Sequence, residues 1–183
     1  MAGGRYLVKY FILKPDEKFF DGPILRNQRN TFNHRWICKE HFYKLPKRNI
    51  ISVTTTKDTI FPAIITSPYL LVSEVFRTVI EMFGDMVLAK DVVLVDSEKG
   101  CIKQYFMVVL EELAGEIVTE KNAGGLRKTI IIRSEGIPLK ERNIFMMELD
   151  RCRDIVISLD FAESILRRKV QGICLEEIEL KER

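Results

Sequence analysis

Apolar positions along this chain recur with two periods, and the alternation between them marks out the elements. A helical period appears twice. In Pro68 to Gly84, PYLLVSEVFRTVIEMFG, an apolar run from Tyr69 to Val72 meets Ser73, a residue suited to cap a helix. Val75, Phe76, Val79, Ile80 and Phe83 then share one helical face, and Gly84 stops the element. The second case lies in residues 153 to 180. Ile155-Val156-Ile157 with Leu159 has strand length, Asp160 stands where an N-cap belongs, and Glu163 follows at capping-box spacing. Phe161, Ala162, Ile165, Leu166 and Val170 fall on one face. Arg167, Arg168 and Lys169 place positive charge in the last turn, where the helix dipole favours it, and Gly172 is expected to supply the left-handed stop. The pattern predicts helices over about 74–83 and 161–170.

Elsewhere the pattern is that of strands: Arg5 to Leu13, Ile50 to Val53, Thr59 to Thr66, Val92 to Val95, Ile102 to Leu110, Thr129 to Arg133, Asn143 to Leu149, and Ile173 to Leu180. Pro62 marks the third of these as an edge or a bulge, because proline cannot donate to a ladder. Leu113 to Lys128 is rich in glycine and charge and reads as a surface loop, while residues 24 to 49 are basic, aromatic and without a period. The expected architecture is α+β: a single domain over 1–183 with a mainly antiparallel or mixed sheet covered by the two main helices.

Composition narrows the class. The chain has 183 residues, 46% hydrophobic and 30% charged, as in an ordinary soluble globular protein. No apolar run reaches the roughly 20 residues that span a bilayer. Lys9 interrupts the apolar stretch from Tyr6 to Leu13 and no small-residue cleavage site follows, so it reads as a first strand, not a signal peptide. Ala2 stands where N-myristoylation requires glycine. Cys38, Cys101, Cys152 and Cys174 are far apart and form no CxxC pair, which fits a reduced, cytoplasmic protein without structural disulfides. The net charge of +3 is unevenly spread: residues 1 to 50 hold eleven Lys/Arg against four Asp/Glu, and the remainder eighteen against twenty-two. Such a basic front reads either as a solvated face or as a surface that steers an acidic partner.

Candidate chemistry is sparse. His34, Cys38 and His41 would share one face of a helix and are of zinc-binding type, but the spacing is no known zinc signature and the chain has no other histidine. A Cys–His pair three residues apart lacks the donors for an oxyanion hole. No nucleophile elbow, phosphate-cradling glycine loop or HExxH is present, and Glu111-Glu112 and Glu176-Glu177 are adjacent residues that face opposite ways on a strand. No catalytic set, cofactor site or metal site is therefore expected. Arg26 to Arg48 combines cations with aromatics, the ingredients of a nucleic-acid surface, yet the net charge is small and no RNA-binding signature appears.

Four stretches carry a resemblance to a known family: YFILKPD (Tyr10 to Asp16), SPYLLVSEVFRTVIEMFG (Ser67 to Gly84), VVLVD with QYFMVVLEEL (Val92 to Leu113), and SLDFAESILRRKVQGICLEEIEL at the C-terminal end. Together they resemble bacterial immunity proteins of polymorphic toxin systems over nearly the whole chain. Family members place a glycine soon after the basic residues of the last helix, where this chain has Lys169; residues 24 to 49 match nothing in the family. The resemblance implies binding without catalysis: a cytoplasmic protein that occludes a cognate toxin domain. The matched positions are scaffold, so no toxin-contacting residue carries over. Exposed loops are where anchors belong, and Arg29, Arg35, Trp36, Phe42 and Tyr43 are the expected partner-binding residues. The alternative is a nucleic-acid-binding or regulatory module using residues 26–48.

Overall fold

The computed structural model describes residues 9–18, 21–26, 33–85, 87–122, 125–133, 137–149 and 152–182, with the backbone alone for 119–128. In chain order the strands are β1 (Tyr10–Pro15), β2 (Ile24–Leu25), β3 (Arg48–Thr54), β4 (Ile64–Ile65), β5 (Leu71–Val72), β6 (Leu88–Asp96), β7 (Cys101–Val109), β8 (Glu112–Asn122), β9 (Gly125–Ile132), β10 (Ile144–Leu149), β11 (Cys152–Ser158), β12 (Ile173–Ile178) and β13 (Leu180–Glu182). The α-helices are α1 (Glu74–Phe83) and α2 (Leu159–Arg167). None of the described helices is long and apolar enough to cross a membrane.

The fold is mixed α and β, but the expectation of one sheet under two helices is corrected: there are two sheets. Strands β2 to β7 find all their partners among themselves, in the order β2-β3-β6-β7-β5-β4; the others form a seven-stranded sheet, β12-β1-β11-β10-β8-β9-β13. Both are mixed, with β3/β6 parallel in one and β10/β8 and β13/β9 parallel in the other. The chain clusters into two compact units, the first from the described parts of 1–14, 111–164 and 175–183, the second from those of 15–110 and 165–174. The single domain expected over 1–183 is thus set against a pair of units whose segments interleave along the sequence.

In the first unit the strand period sets the core. Ile12 and Phe145 both stand opposite Val156, from β1 and β10 on either side of β11. With Tyr10, Met147, Leu113, Ile132, Leu139 and Leu180 they form one buried cluster. Tyr10 meets the Phe145 ring edge-on at 6.0 Å, and its hydroxyl donates to the Leu139 carbonyl. A buried cation is paired with a half-buried carboxylate as well. The Arg142 side chain, 4% exposed, donates from Nε and Nη2 to the two carboxylate oxygens of Glu111 at 2.8 and 3.1 Å. That bidentate bond, above all, raises the Arg142 pKa above its ordinary value.

Leu113 to Lys128 is not the loop its glycines and charges suggested. It belongs to the β8–β9 hairpin, in register from Gly115↔Ile132 to Asn122↔Gly125. β10 reaches only Glu112 to Ala114 of β8, and β13 only Ile130 to Ile132 of β9, so farther out the two strands pair with each other alone. Strand pairing overrides the local composition there.

The two helices answer the same pattern differently. α1 follows it: Ser73 Oγ accepts from the Phe76 amide at 3.4 Å, and Gly84 ends the helix at φ 69°. α2 is displaced, running Leu159–Arg167 instead of 161–170. Its cap is Ser158, whose Oγ accepts from the Phe161 amide at 3.3 Å while its hydroxyl donates to Asn143 Oδ1 at 3.0 Å. Asp160 instead sits in the first turn, where its charge suits the dipole. Lys169, at φ 54°, takes the left-handed stop expected of Gly172. Its amide donates to the Leu166 carbonyl at 2.9 Å and that of Val170 to Ile165 at 3.3 Å, the two bonds of a Schellman end. Thr59 to Thr66 yields only the two residues of β4, and the Pro62 carbonyl accepts instead from the Tyr105 hydroxyl.

Candidate functional site: a basic cover on the six-stranded sheet

The six-stranded sheet has one face under a cover made from its own unit. Strand β3 alternates strictly, with Asn49, Ile51 and Val53 buried and Arg48, Ile50 and Ser52 exposed. Ile51, Val53, Val92, Leu94, Tyr105 and Met107 build the covered face, and Phe42 and Leu45 pack down on it. Burial of two such side chains contributes about 1.5–3 kcal/mol each. On the opposite face Ile50 and Ile102 remain 64% and 69% exposed.

The cover has no helix or strand period because it is built of two single turns of 3-10 helix, His34–Trp36 and Phe42–Lys44. Asn33 caps the first, its Oδ1 accepting from the Arg35 amide at 3.0 Å. The Cys38 carbonyl accepts from the amides of His41 and Phe42 at 3.2 and 2.9 Å, which leads the chain into the second turn. The buried Asn49 side chain closes the end, donating to the carbonyls of Pro46 and Asp91 at 3.1 and 3.3 Å. The His34 ring lies 5.0 Å from that of Tyr69, whose phenol is pushed above its ordinary pKa by burial.

This frame sorts the expected partner-binding residues. Tyr43 is 73% exposed and Arg35 is exposed, so both are open to a partner. Phe42 is only 3% exposed and belongs to the core; adjacent residues of a tight turn point apart, and Phe42 takes the inward place. That corrects its expected role: it anchors the cover and is closed to any partner. Trp36 is half-buried against the same core. Arg29 lies outside the described residues.

Residues that the sequence did not single out complete the surface. Lys44 places Nζ 5.8 Å from the centre of the Tyr43 ring. Lys90, from β6, places its own 5.9 Å from Phe42. The Lys47 carbonyl accepts from the Asp91 amide at 3.0 Å, which fixes Lys47 beside the strand bearing Lys90. Lys90 lies nearly fifty residues from this turn in sequence, and the β3/β6 pairing brings it here. Glu40 is the acid of the cover; a hydrogen bond from its own backbone, above all, holds it below the ordinary glutamate pKa.

His34, Cys38 and His41 do not form the single helical face on which a metal or thiol site was considered. The Cys38 Sγ donates to the Arg35 carbonyl at 3.5 Å, and among the described residues no three of His, Cys, Asp or Glu group as metal ligands. Among the described residues the cover places Lys44 and Lys90 about one turn and leaves one open aromatic ring, that of Tyr43. Compared with protein-family models and with curated proteins, the chain matches none.

Proposed function

We propose that this protein is a non-enzymatic immunity protein that binds a cognate bacterial toxin domain in the cytoplasm and blocks it, docking through the cover of the six-stranded sheet. The observation that carries the reading is Tyr43, 73% exposed on a turn whose neighbours Phe42 and Leu45 are 3% and 2% exposed. An aromatic ring held open on a pinned turn loses little conformational freedom on binding, which is the property of an interface anchor. The family resemblance of the four sequence stretches supports the same reading and directs it to toxin domains.

The test is protection. The reading requires a toxin domain encoded by an adjacent open reading frame, and its absence there would count against the proposal. That domain is induced in a susceptible host with and without this chain, and the two purified proteins are mixed and sized by chromatography. Survival with this chain and a stable complex are expected. Death regardless of this chain, or two proteins that elute apart, would sink the proposal.

A further inference from the structure

We infer that the cover docks on an acidic protein surface, with Tyr43 as its anchor and Lys44, Lys47 and Lys90 meeting the partner's carboxylates; this rests on the binding function proposed above and specifies the partner's face. Two aromatic side chains organise the cluster. Lys44 stands by the exposed Tyr43 ring and Lys90 over the buried Phe42 ring, at 5.8 and 5.9 Å, so cations from two distant stretches gather about one turn.

Among the described residues these charges differ from several other cations in having no carboxylate partner. Arg26, Arg77, Arg133 and Arg153 each have a carboxylate within 3.8 Å. Among the described residues, Lys44, Lys47 and Lys90 have none within ion-pair distance. Asp91 does not neutralise them: it follows Lys90 on the strand, so its side chain leaves by the other face, where Arg77 Nη1 lies 3.8 Å away. Like charges held together on a rigid frame repel, and a complementary surface relieves that repulsion while steering the approach.

Protein carboxylates fit the cover better than nucleic acid does. Single strands bind where successive bases stack on successive open rings. Here Phe42 is buried and Trp36 is packed on the core, which among the described residues leaves Tyr43 as the fully open ring of the cover. Residues 51 to 183 carry more acid than base, which repels a polyphosphate.

Arg48 provides an internal control. It has the same charge and is exposed, but strand alternation sends it to the opposite face from Lys90. The experiment measures association of the adjacent-gene toxin domain by stopped flow between about 50 and about 500 mM salt, where screening becomes strong. It compares the wild type with Lys90→Glu, Lys44→Glu, Arg48→Glu and Tyr43→Ala, each first checked for an unchanged far-UV spectrum and melting profile. The expected result is an association rate that falls about tenfold across the salt range, and by about that factor in Lys90→Glu and Lys44→Glu but much less in Arg48→Glu. Tyr43→Ala should act instead on dissociation, speeding it at least about tenfold. Complex formation indifferent to salt, or slowed equally by Lys90→Glu and Arg48→Glu, overturns the inference and leaves the immunity function standing. No complex with the wild type overturns both. Retention of an oligothymidylate at about 150 mM salt, lost in Lys90→Glu, transfers the surface to nucleic acid and also overturns the inference.

Discussion

Arg142 and the lysines of the cover are cations in opposite circumstances. The Arg142 side chain is buried in the first unit and bound through two bonds to Glu111, while the exposed Lys44 and Lys47 and the half-buried Lys90 of the second unit have no carboxylate within ion-pair distance among the described residues. A buried charge is tolerated only with its partner, because removing that partner leaves an ion out of water and uncompensated. An exposed charge hardly affects the fold, so its position is free to serve something outside the chain. Substitutions should therefore separate the two groups: one governs stability, the other association.

The largest effect is expected at the pair of buried Arg142 with Glu111. Glu111→Ala should cost about 3–5 kcal/mol of unfolding free energy, read from urea denaturation, because it strands Arg142. A loss under about 1 kcal/mol would show that Arg142 escapes to water and would dissolve the contrast.

Asp96 sharpens the comparison, since it is a buried charge answered by neutral donors. Its Oδ2 accepts from the Thr55 amide and hydroxyl at 2.8 and 2.7 Å, and its Oδ1 from the amides of Glu98 and Lys99 at 3.1 and 3.2 Å. The Thr55 hydroxyl is the largest cause holding its pKa below the ordinary aspartate value. A lowered folded-state pKa stabilises above the unfolded value, and that stability is lost as the pH falls through the folded one. Thr55→Val should thus be less stable than the wild type at neutral pH, with the gap narrowing below about pH 4 as the aspartate titrates. A gap that stays constant on acidification would mean that Thr55 does not act through the Asp96 charge.

Smaller effects belong to the cover. Lys90→Ala forfeits only its contact with the Phe42 ring, about 0.5–1 kcal/mol in thermal or urea unfolding. Arg48→Ala should leave stability within about 0.5 kcal/mol. A destabilisation at Lys90 as large as that at Glu111 would make it a structural cation and end the division of roles.

Much of the fold was readable in the sequence where local chemistry decides it. Ser73 and Gly84 bound α1 as the pattern predicts, because the cap and stop are the residues that perform those tasks with least strain. At α2 the pattern pointed to Asp160 as the cap, and Ser158 takes that place instead. The choice of Ser158 depends on Asn143, a residue from another part of the chain. Likewise Lys169 is a poor left-handed residue, and the Schellman bonds to Ile165 and Leu166 hold it there against its preference. The split into two sheets was not legible, since it is set by distant pairings such as β3 with β6 and β8 with β10. In the cover, a single 3-10 turn has neither period of a helix nor of a strand. The inward Phe42 and outward Tyr43 therefore look alike in sequence, and Lys90 carries no local sign that it belongs with them.

The interleaved segments also impose an order on synthesis. Strands β2 to β7 complete the hydrogen-bond ladder of their sheet once Val109 has left the ribosome. β1 is made before any of them, yet its antiparallel partner is Ile155 to Ser158 and its other neighbour is β12. Tyr10 to Leu13 must therefore wait as an unpaired apolar strand while more than a hundred residues follow. During that interval the nascent chain presents a site for holdase chaperones and for mispairing with its neighbours on the same message.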